Sequence, residues 1–219
     1  MRNAINSRIH TILEATKTLP LFTLDDLASM ETDKNYLKTL LSRHQKSGSV
    51  VRLKKGVYVT KGYIDSVEKT GRMAAYTEFL ASALYPPSYV SLETVLHQHG
   101  IITELPVVIT CVTKNKTFSY SNPLGTYRYH SMRPTLFVGF EDRRDGDYRI
   151  ARAHLAKALF DYLYFRKQHL SAPTAVGALR LNIDMIDRKQ KRELAGYVAV
   201  DGSSRMKNIL KWLFNHHAV

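Results

Sequence analysis

The sequence predicts an α+β protein in two parts: an N-terminal domain over residues 1–62 and a mixed α/β domain, with a small sheet and several helices, over residues 63–219. Three observations predict it. Residues 33–59 pass from helical periodicity, through a glycine, into alternating apolar and polar residues. The run Val107-Val108-Ile109-Thr110-Cys111-Val112 is unbroken, apolar and rich in β-branched residues, the pattern of a buried strand. Both ends carry apolar stripes at helical spacing, Ile5, Ile9, Ile12 and Leu13 near the start and Met206, Ile209, Leu210 and Leu213 near the finish.

In the N-terminal part, Pro20 ends the first helical pattern. Thr23-Leu24-Asp25-Asp26 has the form of a capping box that opens a second short helix through Met30, with Leu24, Leu27 and Ala28 turned inward. Asp33 is the expected N-cap of a third helix, and Gly48 its stop. Leu37, Leu40, Leu41 and His44 fall at i, i+3, i+4 and i+7, on one face. Lys34, Asn35, Lys38, Thr39, Ser42 and Arg43 are left for the others. Alternation from Val50 onward reads as strand, and Lys54-Lys55-Gly56 interrupts it with turn chemistry. Thr60-Lys61-Gly62 is expected to close the hairpin. Three helices followed by a hairpin with basic residues at its tip make the sequence form of a winged helix-turn-helix. In that fold one helix enters the major groove of DNA and the wing lies beside phosphates.

In the C-terminal part, residues 67–84 read as helix until Pro86-Pro87, and Ser91 sits at the start of another that runs to His99 and stops at Gly100. Residues 117–120, 125–130 and 136–140 read as strands, residues 141–147 as a charged turn, and residues 148–151 as extended chain again. Leu155, Ala158, Leu159, Tyr162 and Leu163 form one helical stripe, and further helices are expected near residues 175–182, 189–197 and at the end.

Lys and Arg outnumber Asp and Glu by 32 to 19, a net charge of +13 that calls for an anionic partner. The excess is shared, with 11 basic and 5 acidic side chains in residues 1–62 and 21 and 14 in the remainder. It is densest in residues 34–61, which hold eight Lys or Arg and no Asp or Glu. A one-sign surface suits the phosphate backbone, whereas ordinary surfaces mix both signs. The expected DNA-binding residues are Lys34, Asn35, Lys38, Thr39, Ser42 and Arg43 on the helix, and Arg52, Lys54 and Lys55 on the wing. Asn pairs with adenine and Arg with guanine, while Lys, Ser and Thr serve bases or phosphates.

Other chemistries find little support. The single cysteine, Cys111, lies in the apolar run as a core residue, and one thiol allows no internal disulfide, as in a reducing cytosol. His97 and His99 are two apart and face different directions on a helix, so no zinc site is expected and no cofactor. Glu141, Asp142, Asp145 and Asp147 resemble a metal-binding nuclease cluster, but Arg143, Arg144 and Arg149 between them read as an exposed turn of both signs. There is no phosphate-cradling glycine loop and no Gly-x-Ser nucleophile setting, so no enzyme is expected. No apolar run reaches a membrane span, and the first residues lack the apolar block of a signal peptide. A cytoplasmic, nucleoid-associated protein without membrane contact is expected. His216-His217 reads as a solvated tail.

The second part also carries a family resemblance. Tyr89-Val90-Ser91-Leu92-Glu93-Thr94-Val95-Leu96-His97-Gln98-His99-Gly100 resembles the helix that opens the C-terminal domain of AbiEi-family antitoxins. Pro106 to Thr113, then Phe118, Leu124-Gly125-Thr126-Tyr127 and Tyr129-His130, are similar to that domain's strands. Lys157-Ala158-Leu159-Phe160-Asp161 is similar to its Lys-Ala-Leu-hydrophobic-Asp signature. The resemblance covers roughly residues 20–170. One departure is Arg152-Ala153-His154-Leu155, where the family often has a Pro-Glu pair.

The resemblance implies an antitoxin of an abortive-infection (type IV) toxin–antitoxin pair, active in phage defence. Such a protein represses its own operon by binding promoter repeats through the winged helix, and neutralises a nucleotidyltransferase-like toxin, often without a stable complex. Lys114, Arg152, Lys157 and Asp161 are the expected antitoxin surface. The readings left open are a protein-interaction module whose basic surface holds an acidic toxin or other partner, a stand-alone transcriptional regulator, and a nucleic-acid enzyme using Asp142 or Asp145.

Overall fold

The computed structural model describes residues 2–215, with side chains from residue 9 onward, and has the helices and two sheets of an α+β chain. Ile5 as a packing residue and the His216-His217 tail lie outside the described side chains. The chain divides into two compact units, the first reaching Tyr76 and including Ser121–Leu124, the second taking Thr77–Tyr120 and Gly125 onward.

The first unit begins with α1 (Arg2–Thr16) and the short strand β1 (Phe22–Thr23). It continues through α2 (Lys34–Lys46), β2 (Val50–Lys54), β3 (Val57–Thr60) and α3 (Lys61–Lys69). Leu37, Leu40 and Leu41 of α2 are buried with Ile9, Ile12, Phe22, Leu27, Val50 and Tyr58. Each such side chain contributes about 1.5–3 kcal/mol by leaving water. β1, β3 and β2 form one antiparallel sheet in that order. The tight turn between β2 and β3 uses Gly56 at φ 80°, a conformation that favours glycine.

One expectation for this unit fails. The second helix does not form. Its capping box does, with Thr23 N and Oγ1 donating to Asp26 Oδ2 at 2.7 and 2.8 Å. Residues 24–30 then wind as successive turns, with Leu27 N, Ala28 N and Met30 N each bonded three residues back. The segment holds fewer than two turns before Asp33 caps α2, too short to offset helix nucleation. Leu27 is buried, but Ala28 is exposed. The hairpin closes at Thr60, which pairs with Val50, and Lys61-Gly62 run directly into α3 rather than into a loop. Thr60 Oγ1 accepts from Tyr63 N and so caps α3.

The second unit is built on a sheet of order β6-β7-β5-β4-β9-β8. Its strands are β4 (Ser88–Val90), β5 (Val108–Thr113), β6 (Phe118–Asn122), β7 (Gly125–Ser131), β8 (Phe140–Asp145) and β9 (Tyr148–Ala153). β5 runs parallel to β7, β4 parallel to β9, and β4 antiparallel to β5. The helices are residues 77–84 of α4 (Met73–Leu84), then α5 (Leu92–Gln98), α6 (Leu155–Arg166), α7 (Pro173–Gly177), α8 (Arg188–Asp201) and α9 (Ser204–Asn215). Residues 77–84 of α4 cover one sheet face, where Tyr129 OH donates to Ala81 O at 2.7 Å. α6 covers the other, with Phe165 against His130 at 4.8 Å.

Here too the sequence pattern misled in places. Residues 67–84 split into α3 and α4 at Gly71, which has φ 67°. Residues 136–140 are not a strand: Leu136 ends a 3-10 turn, Pro134–Leu136, residues 137–139 are irregular, and Phe140 opens β8. Residues 141–145 are the edge strand β8 itself, paired with β9 rather than turning. Charged side chains on both faces hid it, because charge on an exposed edge strand blocks aggregation without marking periodicity. The helix expected near residues 175–182 lies earlier, as α7. Among the described residues, no helix is long and apolar enough to cross a membrane.

Candidate nucleic-acid interface

α2 is set by its two ends. Asp33 Oδ1 accepts from Asn35 N and Tyr36 N at 2.8 and 3.1 Å, and Gly48 follows the C-cap Ser47 at φ 80°. With the leucine face fixed in the core, all six expected contact residues of the helix, Lys34, Asn35, Lys38, Thr39, Ser42 and Arg43, are exposed. Arg52, Lys54 and Lys55 of the hairpin are exposed as well.

The fold brings four of these nine together. Lys38 and Ser42 from α2 and Arg52 and Lys55 from the hairpin line an open groove of about 540 Å³, with Gln45, Leu24, Gly56 and Tyr58. Arg52 Nε donates to Lys54 O at 3.3 Å, which holds the guanidinium against the turn. Lys34, Asn35, Thr39, Arg43 and Lys54 do not line this groove. Gln45 was missed, although Lys38, Ser42 and Gln45 fall at i, i+4 and i+7 on one helix face.

The one-sign run is less isolated in space than in sequence. Lys34 Nζ pairs with Asp25 Oδ1 at 2.7 Å, and its ammonium holds that carboxyl below the usual range. Lys61 pairs with Asp65, which raises the lysine. Both acids lie outside residues 34–61. Both pairs are exposed, where ion pairs contribute little stability.

The expected antitoxin surface does not form one. Lys157 and Asp161 are fully buried in the second unit, 0 % exposed, and paired with each other along α6. Ser91 Oγ and Tyr89 OH donate to Asp161 Oδ2 at 2.7 and 3.1 Å. Lys157 Nζ also lies 4.8 Å from the Phe160 ring centroid and 5.6 Å from that of Tyr197. Burial pushes Lys157 down and Asp161 up, and each partner's charge opposes the shift of the other. Gly139, at φ 76°, closes the cluster, since a Cβ there would stand 2.1 Å from Tyr197 Oη. Arg152 is mostly buried and bonded to the buried Glu78. Of the four, Lys114 alone is exposed, with Nζ 5.0 Å from the Phe137 ring centroid. For Lys157 and Asp161 the cause is α6 itself, in which every residue from Leu155 through Leu163 is buried.

That network also explains Ser91. It occupies the N-cap position of α5, yet its hydroxyl serves Asp161 and makes no cap bond. Thr110 of β5 substitutes, its Oγ1 accepting from Thr94 N at 3.3 Å. The acidic stretch at residues 141–147 is exposed and partly neutralised, with Arg143 on Glu141 at 3.3 Å and Arg149 on Asp142 at 3.0 Å. Among the described residues, no group of three His, Cys, Asp or Glu is arranged to hold a metal ion. Cys111 is buried, and burial pushes its thiol up, away from the reactive thiolate.

No protein-family model matches the chain, and no curated protein matches it.

Proposed function

We propose that the first unit is a winged helix-turn-helix DNA reader, its second helix reduced to a run of turns. On this reading the protein represses transcription from its own promoter, with α2 facing the major groove and the β2–β3 hairpin facing the backbone. The carrying observation is the groove in which Lys38, Ser42 and Gln45 of α2 meet Arg52 and Lys55 of the hairpin. Amide and hydroxyl groups suited to bases and cations suited to phosphates line one surface. The sequence resemblance supports an antitoxin role against a nucleotidyltransferase-like toxin, exercised in the cytoplasm and on the nucleoid.

The test is a titration of the full chain on the duplex upstream of its gene and on a scrambled duplex, at low and high salt. The reading expects a preference for the upstream duplex that survives the higher salt. Equal, steeply salt-sensitive binding to both would reduce the charge to a phosphate footprint. The antitoxin role is checked by co-expression with the product of the adjacent gene, where growth arrest should be relieved.

A further inference from the structure

A second cationic surface lies outside the segment that carries the resemblance. α8 and α9 form a helical hairpin, in which Lys191 Nζ sits 4.9 Å from the Phe214 ring centroid. That contact brings the first turn of α8 beside the last turn of α9, so the two run antiparallel. Arg188, Lys191, Arg192, Lys207 and Lys211 are exposed on it. Between residues 188 and 215 the acids are Glu193 and Asp201, and both are engaged. Glu193 accepts from Tyr197 OH at 2.7 Å, and Asp201, 2 % exposed at its side chain, is held by Arg133 and Lys167 at 3.1 and 3.4 Å. Among the described residues, Arg188, Arg192, Lys207 and Lys211 meet no acidic partner.

We propose that this face grips the phosphate backbone of duplex DNA without reading bases. Between the cations the outer side of α8 carries only Ala195, Gly196 and Ala199, so no side chain holds a rigid strand of phosphates away. Phe214 lies beneath Lys191 and Trp212 is half-buried, which leaves no open ring for the base stacking that single strands need. Val200, the large apolar residue exposed on α8, lies half a turn from Lys191 and flanks the cationic face as a single side chain, not the clustered central anchor that a protein interface uses. α8 exposes no hydroxyl or amide, and on α9 Ser204 and Asn208 are exposed beside Lys207, few groups against the row of 2′-hydroxyls that an RNA duplex presents. Arginines and lysines spread over two helices suit a continuous line of DNA phosphates, as contacts that position and do not specify.

The proposal is tested in the full chain with Arg188→Glu, Arg192→Glu and Lys211→Glu combined, titrated against a scrambled DNA duplex over a range of salt. Affinity at low salt should fall at least about tenfold, and the slope of log affinity against log salt should become shallower by about three, one for each cation. The ratio of affinities for upstream and scrambled DNA should not change. A second variant with glutamine at the same positions, which keeps the helix propensity, should move both quantities in the same direction. Unchanged affinity and slope in both folded variants would overturn the proposal, as would losses confined to an RNA duplex or to polyglutamate. In a Lys38→Ala, Arg43→Ala background the preference for upstream DNA should vanish while the α8–α9 effect persists. Failure of the promoter-reading assignment is thereby separated from failure of this one.

Discussion

Two lysine-bearing helices, α2 and α6, carry the functional expectations, and they meet opposite fates. In α2, Leu37, Leu40 and Leu41 are buried and every polar residue expected to touch DNA is exposed. In α6, the stripe of Leu155, Leu159 and Leu163 is buried, and so are Lys157 and Asp161 between its members. The i, i+4 spacing of Lys157 and Asp161 reads as a surface pair worth a few tenths of a kcal/mol. Inside the second unit the same pair is enclosed and bonded by Ser91 and Tyr89. A polar residue on an amphipathic helix faces water only where the helix has a solvent side, and a helix covered all round has none.

The largest expected effect breaks the buried side of this comparison. Lys157→Ala leaves Asp161 without its counter-charge and should cost about 3–5 kcal/mol in denaturant unfolding of the full chain. Replacing both together, as Lys157→Met with Asp161→Leu, should recover most of that loss, because no charge is then left alone. A loss below about 1 kcal/mol for Lys157→Ala would mean that the pair is solvated after all.

On the exposed side the effects belong to binding and not to stability. Lys38→Ala, within the groove, should weaken binding to upstream DNA by about 1–3 kcal/mol and leave the unfolding midpoint alone. Arg43→Ala, outside the groove, should lose less; a larger loss there would move the contact face around α2. Lys54→Ala should weaken all sequences alike and flatten the salt slope by about one.

A smaller effect sharpens the burial contrast through pH. Burial holds the His130 imidazole below its ordinary 6.5, and Arg128 and Arg166 push the same way against Glu93. The unfolded chain therefore binds the proton first as pH falls. The neutral ring's stability is complete above about 6.5 and is lost as pH drops through the folded value. Thermal unfolding should weaken on acidification across that window, and His130→Phe should flatten the dependence.

How much was legible follows from the same physics. Local chemistry announced itself: Asp33 caps α2, the Thr23 and Asp26 box forms, and the β-branched run read as a strand at residues 107–112 is β5, Val108–Thr113, one residue later, with Val107 outside it and exposed. The polar face of α2 was legible because its leucines fix its rotation. What sequence hid depends on distant partners. Nothing near Asp25 shows that it reaches Lys34 nine residues on, and nothing near Ser91 shows that its hydroxyl is taken by Asp161 and its cap by Thr110. β8 was hidden because all its charges face water and its pairing comes from β9. Gln45 alone was recoverable, since its spacing from Lys38 and Ser42 already placed it on their face.

The most direct test of the α2–hairpin interface puts a carboxylate into the groove. Ser42 is exposed between Lys38 and Arg52, and Ser42→Glu changes charge there without touching the leucine face. Binding of the full chain to its upstream duplex should fall at least about tenfold, or roughly 1.4 kcal/mol, with an unchanged melting temperature. Undiminished binding by the folded variant would contradict the account and take DNA recognition away from this face.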